Sequence, residues 1–164
     1  MLRRMITLGG LAWLAAVVGT ASATETDRSP LQLVVSTDGL WAYTANRTSN
    51  TVSRIDLTAG TVVDEFPVGS SPTGIATSPD NQTVYTANRG DDSLSVVSVT
   101  TKETLHSIAL ANQPYDVIVA ADGTIYVACV GKDEVVQVID SESLSITATI
   151  VVDANPRHLA FTED

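Results

Sequence analysis

Four prolines at a constant spacing are the feature that most constrains how this chain can fold. They are Pro30, Pro72, Pro114 and Pro156, and each follows the previous one by 42 residues. The same register is kept by Asp38, Asp80 and Asp122 and, to within one residue, by Tyr43, Tyr85 and Tyr126. A fixed period of about 20–50 residues is typical of repeat architectures. The chain is therefore one supersecondary unit written three times, followed by the first part of a fourth.

Each repeat contains four short runs with β-strand character, separated by turns rich in Pro, Gly, Asp and Asn. In the second repeat the runs are 72–77, 83–88, 93–99 and 104–110. Their apolar residues alternate with a period of two, as in half-buried strands. Four-stranded units that repeat at roughly 40–45 residues are typical of propeller blades. We therefore predict an all-β partial β-propeller of four-stranded antiparallel blades over 30–68, 72–110 and 114–152, with the first strand of a fourth blade from residue 156.

Three blades and one further strand cannot close a ring, because closed propellers have about 4–8 blades. The two terminal blades are then expected to expose apolar faces and unpaired strand edges. Three explanations fit this pattern: a fragment of a longer protein, several copies that complete one ring, or a truncated product. We favour the fragment, and we expect self-association through the open blade faces.

The first 23 residues have the pattern of a secretory signal peptide. Arg3 and Arg4 precede the apolar run 8–18, and Ala21-Ser22-Ala23 fits a small-residue cleavage site. The apolar run is short for a membrane span. We predict a signal peptide over 1–23, a propeller segment over 24–164 with no transmembrane span after cleavage, and export to the periplasm or the cell surface. An uncleaved anchor and a twin-arginine export signal are the alternatives.

Charge and cysteine content exclude several partners and cofactors. Residues 24–164 carry seven Lys and Arg against 19 Asp and Glu, which disfavours nucleic acid and anionic membranes as partners. Cys129 is the single cysteine, so no internal disulfide can form, and the sequence has no haem-attachment motif. Cys129 occupies the repeat position of Asn46 and Asn88, and we expect it to be a small buried residue. We predict neither a cofactor nor a metal site.

Three tetrapeptides at the same repeat position carry a family resemblance. They are Tyr43-Thr-Ala-Asn46, Tyr85-Thr-Ala-Asn88 and Tyr126-Val-Ala-Cys129, and strand-like segments such as Thr51–Asp56 follow them. Together they resemble the YVTN β-propeller repeat family, over essentially all of Pro30–Asp164. The resemblance implies the fold. It leaves function open among surface-layer and surface-antigen proteins, lactonase-like propellers and propeller subunits of periplasmic redox enzymes, because one fold hosts many functions.

Loops at one end of the blades are the expected place for a protein or small-molecule ligand. These loops join the second strand to the third or lead into the innermost strand. The candidate ligand-binding residues are Arg47, Arg89, Asn112, Lys132, Asn155 and Arg157. The first two are equivalent in successive blades and could bind a carboxylate or phosphate group. The alternative that we favour is solvation, or ion pairing with Asp91 and Asp92.

The second residue after each spaced proline is expected near the mouth of the central channel. Asp116 and His158 hold this position in neighbouring blades and are candidates for an acid–base or metal-binding pair. Structural polar contacts are the reading that we prefer. We therefore predict an exported, non-enzymatic binding or scaffold module. The alternatives are a lactonase-like enzyme that uses this pair and a propeller module of a periplasmic electron-transfer protein.

Overall fold

The computed structural model describes residues 27–152 and 155–162, so the predicted signal peptide lies outside the described residues. Twelve β-strands are present in this part of the chain, and no helix is assigned there. The strands are β1 (Pro30–Val35), β2 (Trp41–Asn46), β3 (Thr51–Asp56), β4 (Thr61–Pro67), β5 (Pro72–Thr77), β6 (Thr83–Asn88), β7 (Ser93–Ser98), β8 (Glu103–Ala109), β9 (Pro114–Val119), β10 (Ile125–Cys129), β11 (Val135–Asp140) and β12 (Ser145–Val151).

The strands form three four-stranded antiparallel sheets, each of which is one repeat. The strand orders are β1-β2-β3-β4, β5-β6-β7-β8 and β9-β10-β11-β12, so every strand pairs with its neighbours in sequence. Antiparallel strands can be joined by tight turns, which explains how about 40 residues suffice for a blade. The predicted all-β fold with three four-stranded blades is confirmed.

A repeated aspartate shapes the turn between the first two strands of each blade. The backbone N–H groups of Leu40, Gln82 and Thr124 donate to Oδ1 of Asp38, Asp80 and Asp122, at 3.0, 3.0 and 2.9 Å. This is the local bond by which Asp favours turns. The pKa of each carboxyl lies below its ordinary value. The Ser36 and Ser78 hydroxyl groups are the main cause for the first two, and the Thr124 N–H is the main cause for the third.

The hydrophobic core lies between the blades rather than within any one of them. The first cluster includes Tyr43, Val52, Phe66, Ile75, Val84 and Val97, between the first and second blades. The second includes Tyr85, Leu94, Val117, Ile125, Val127 and Ile139, between the second and third blades. The middle blade is covered on both sides, and its strands β5, β6 and β7 are almost fully buried. Each blade thus depends on its neighbours for burial of its apolar faces.

Gly74 lets the inner strands β5 and β9 approach closely. A Cβ atom at this position would lie 2.8 Å from the Cα of Asp116 and 2.9 Å from the carbonyl oxygen of Tyr115. Both are backbone atoms, which cannot rotate away as the end of a side chain can. This contact explains why glycine stands where the neighbouring repeats have Gln32 and Asp116.

Residues 155–162 take the place of the first strand of a fourth blade. The Leu159 N–H donates to Asp116 Oδ2 at 2.9 Å, just as the Ile75 N–H donates to Gln32 Oε1 at 2.8 Å two repeats earlier. The segment is not assigned as a strand, because a second strand that could pair with it is not among the described residues. The Phe161 ring packs edge-on against Tyr126 of the third blade, with ring centres 6.0 Å apart.

The outward face of the first blade is apolar and open. Leu31, Leu33 and Val35 of β1 are 50%, 54% and 46% exposed. Of their counterparts in the middle blade, Thr73 and Ile75 are buried and Thr77 is partly buried. The prediction that a terminal blade exposes apolar surface is confirmed for this face. Within the described part of the chain, no helix has the length and hydropathy needed to cross a membrane.

Candidate functional site

The hydrogen-bond register defines one end of the blades, here called the loop end. In the first blade Pro30, Asn46, Thr51 and Pro67 are paired across the sheet and therefore lie at the same end. The second and third blades repeat this register. The loops that follow β2, β6 and β10 and those that precede β5 and β9 all belong to this end. The candidate residues from the sequence lie in or directly beside these loops.

Among the residues that the structure describes, the cations without a carboxylate partner are concentrated at the loop end. Three cations form ion pairs: Arg28 with Glu65 at 3.2 Å, Arg54 with Asp64 at 3.7 Å, and Lys102 also with Asp64. Four others make no ion pair within residues 27–152 and 155–162. These are Arg47, Arg89, Lys132 and Arg157. All four lie at the loop end, although the chain as a whole is strongly acidic.

The ion pairs that we weighed for Arg47 and Arg89 do not form with the two neighbouring aspartates. Asp91 Oδ2 accepts a hydrogen bond from the Ser70 N–H at 2.9 Å, and Asp92 Oδ1 accepts one from the Gln113 N–H at 2.7 Å. These carboxylates connect loops of adjacent blades instead. Within the described ranges, neither arginine side chain forms an ion pair.

Tyr115 is the centre of a cationic cluster at the loop end. The guanidinium groups of Arg89 and Arg157 each lie 5.9 Å from the centre of its ring. The His158 imidazole packs edge-on against the same ring, with centres 6.2 Å apart. Arg89 Nη2 also donates to Gln113 Oε1 at 2.7 Å, which fixes its position. Cations within about 6 Å of an aromatic ring are attracted by its π face.

Sequence reasoning missed Tyr115, although its repeat position offered a signal. It directly follows a spaced proline, and the equivalent residues are Leu31, Thr73 and Arg157. Only the third repeat has an aromatic residue at this position, and the following repeat has an arginine there. This difference between repeats marks the site. The convergence itself depends on how neighbouring blades are placed.

Asp116 and His158 meet in one cleft but do not form a hydrogen-bonded pair. His158 Nδ1 is 4.0 Å from Asp116 Oδ2, and the imidazole side chain is 83% exposed whereas the carboxylate is 5% exposed. The Asp116 carboxylate accepts bonds from Gln32 Nε2 at 3.0 Å, from its neighbour Val117 N–H at 3.0 Å and from Leu159 N–H at 2.9 Å. Asp116 therefore links the inner strands of different blades at the axis.

The cleft around this pair is small and opens at the loop end. Its volume is about 100 Å³. Its lining consists of Leu31, Gln32, Thr73, Tyr115, Asp116, Arg157 and His158. Of its lining side chains, Arg157 and His158 are exposed, whereas the carboxylate of Asp116 is buried.

The remaining candidates lie in the loops around this cluster. Gly131 N–H donates to the carbonyl oxygen of Asn112 at 3.1 Å, so Asn112 packs against the loop that carries Lys132. Arg47 N–H donates to the Ser29 carbonyl oxygen at 3.1 Å, and its side chain is exposed. Asn155 is exposed as well. The structure thus places all six at the loop end and brings Arg89 and Arg157 to one aromatic ring.

Cys129 is a buried strand residue, as its repeat position predicts. Burial raises the pKa of its thiol to about 12. In the second blade Asn88 Nδ2 donates to the hydroxyls of Ser93 and Ser95, both at 2.9 Å. In the third blade Gln137 replaces the second of these serines and contacts Cys129 Sγ at 3.8 Å. The site is structural. No group of three or more potential metal ligands is found in the described ranges.

These features define a class of protein. Three four-stranded meanders are stacked side by side around close-packed inner strands, and their loops share one end, which is the architecture of a β-propeller. The sequence model of the YNCE-like beta-propeller family matches residues 25–124, and the chain belongs to this family. The resemblance to YVTN-type propellers is confirmed. No curated protein sequence matches the chain significantly.

Solved structures of other propellers are similar to this chain. Hydrazine synthase from Kuenenia stuttgartiensis shares 28% identity at a TM-score of 0.75, over 84% of this chain and 39% of that one. A Bacteroides fragilis protein provisionally assigned as a 6-phosphogluconolactonase shares 22% identity at a TM-score of 0.67, over 77% of this chain and 40% of its own. U3-55K shares 14% identity at a TM-score of 0.69, over 77% and 40% of the two chains. The chain spans about two fifths of the length of each. The last two similarities support the fold alone.

Proposed function

We propose that the chain is an exported, non-enzymatic propeller segment that binds a protein or small-molecule ligand at its loop end and acts as a binding or scaffold module. The observation that carries the proposal is the position of the four cations that form no ion pair within residues 27–152 and 155–162. Carboxylates outnumber cations by 19 to seven after residue 23, and Asp91, Asp92, Asp133 and Glu134 lie in the loops of the same end. The four cations are nevertheless in no ion pair among the described residues, so each can attract an anionic group.

The bonding of Asp116 supports a binding role over an acid–base role. A general base must reach the proton that it removes, at hydrogen-bond distance or through one water molecule. Asp116 accepts three hydrogen bonds from the protein, and His158 is 4.0 Å from it. The carboxylate is thus engaged in holding the inner strands. Export is supported by the sequence of residues 1–23, and the periplasm or the cell surface is the expected location.

The proposal is tested by mapping where organic anions bind. Citrate is titrated into the isotopically labelled chain, and backbone amide shifts are followed by NMR. We expect the shifts to be confined to the loop end. They should be lost in a variant with Arg47, Arg89, Lys132 and Arg157 all changed to Gln, and kept in Lys102→Gln, which removes a cation at the opposite end. Shifts at the opposite end, or enzyme-like hydrolysis of a lactone such as gluconolactone, would refute the proposal.

A second candidate is a propeller module of an electron-transfer assembly. The observation that favours it is the 28% identity to hydrazine synthase over 84% of this chain. In this case the cofactor would belong to another domain or subunit. Purification of the native complex followed by absorption spectroscopy decides the matter. Haem or copper bands that co-purify with the chain support this candidate, and a native complex without them rules it out.

A further inference from the structure

We propose that the free edge of β12 pairs with β12 of a second copy of the chain, so that the third blades of the two copies join into one continuous sheet. The inference is independent of the proposed function, because it concerns the outermost strand of a blade rather than the loops. It follows from three observations: which backbone groups of β12 face outward, the composition of the strand and its fit to a two-fold axis.

The free edge of β12 is a consequence of its outer position in the blade. Among the described residues β12 pairs on one side only, with β11. All seven residues of β12 are exposed. Six of the seven residues of β8 are exposed as well, although the middle blade has a neighbour on each side. A further blade beside the third would therefore leave the edge of β12 open.

The register with β11 shows which backbone groups of β12 face outward. Beyond the bulge in this strand pair, β12 is paired regularly with β11, and the Val152 N–H donates to the Glu134 carbonyl oxygen at 2.9 Å. In an antiparallel pair every second residue turns both its N–H and its C=O toward the partner strand. Residues 148, 150 and 152 therefore bond to β11. Thr149 and Val151 direct their N–H and C=O groups away from the blade.

The composition of β12 leaves this edge unprotected, in contrast to the other two outer strands. In β4 the two equivalent outward positions hold Glu65 and Pro67, and proline has no N–H to donate. In β8 the strand carries Glu103 and His106. In β12 the sequence Ser-Ile-Thr-Ala-Thr-Ile-Val has no charge, proline or glycine, and five of its seven residues are β-branched. Charges and prolines are the usual means of blocking an edge strand, and uncharged β-branched segments without them pair readily.

A second copy of β12 fits this edge because the pairing is self-complementary. A two-fold axis at Ile150 places Thr149 of each copy opposite Val151 of the other, and each of these two pairs can exchange two backbone hydrogen bonds. Ile150 then faces its own copy across the axis, and β-branched cross-strand pairs are favourable. The same pairing through β4 would bring Asp64 and Glu65 of two acidic chains together. The geometry thus selects β12 as the self-pairing strand.

The test measures the dimer by sedimentation equilibrium of the purified chain. The exposed face of β1 is a separate route to self-association, so every sample carries Leu33→Lys, which places a charge on that face. We expect a reversible dimer. Thr149→Pro removes one outward N–H from each copy and should weaken the dimer at least about tenfold. Ser107→Pro is the matched control at the equivalent position of β8, where proline also breaks no bond within its own blade, and it should change the affinity less than about twofold.

Amide hydrogen exchange locates the contact. As the protein concentration rises, the amides of Thr149 and Val151 should exchange more slowly, whereas those of Ser107 and Ala109 should not change. The inference is overturned by a chain that stays monomeric up to about 1 mM, or by a dimer that leaves the first two amides unprotected. It is also overturned if only an added peptide with the sequence of residues 145–151 protects them, since the edge would then accept a free strand but not a second copy.

Discussion

Substitution of Gly74 by alanine tests whether the blades are held together by the close approach of their inner strands. The added Cβ would meet three backbone atoms of β9, at 2.8, 2.9 and 3.0 Å. Carbon atoms in contact are ordinarily about 3.5–4.0 Å apart, so β5 and β9 must separate by about 1 Å. The φ angle of Gly74 lies outside the left-handed region, and the effect is therefore steric.

The expected loss of stability is about 3 kcal/mol, because overpacking costs about 1–3 kcal/mol and backbone atoms cannot relax by changing rotamer. A separation of about 1 Å also weakens the dispersion contacts between the second and third blades. For a domain of this size the change corresponds to a melting temperature lower by about 10 °C.

The measurement is urea denaturation followed by circular dichroism at low protein concentration. Gly60→Ala is the matched control, since its Cβ would have no atom within 4 Å and only the backbone conformation, with φ at 67°, would be strained. That strain costs about 1 kcal/mol. If Gly74→Ala is no less stable than Gly60→Ala, the reasoning about strand approach is wrong.

Three further predictions concern the thiol, the turns and the open face. Cys129 should resist thiol reagents at pH 8 until the protein is unfolded, because burial raises its pKa to about 12; rapid labelling of the native protein would contradict this. The pKa values of the turn aspartates are lower in the folded protein than in the unfolded chain. The stability that they contribute is therefore present above the ordinary pKa and is lost as the pH falls through the lowered pKa. Asp80→Asn should flatten the fall in stability below about pH 4, as measured by denaturation across pH. The chain should self-associate through the exposed face of β1, and Leu33→Lys should shift it toward the monomer in light scattering; an unchanged mass distribution would count against this face.

The loop-end candidates show how far the sequence predicts the site. The repeat assigns each loop to one end of a blade, so residues such as Arg47 and Lys132 could be placed there from spacing alone. The sequence could not show that Arg89 and Arg157 face one ring, because they belong to different blades and approach each other only when the blades stack. For the same reason it could not show that Asp116 accepts a hydrogen bond from Gln32 two repeats away.

The strands, the turns and the order of the blades were determined by the sequence by itself. Alternating apolar residues, the turn-forming aspartates and the spaced prolines act within about 40 residues, and their repetition makes each local signal visible three times. Only the tertiary structure decided how closely the blades pack and which side chains meet between them. Those distances depend on several repeats at once, as the contact of Gly74 with β9 shows, and no single repeat encodes them.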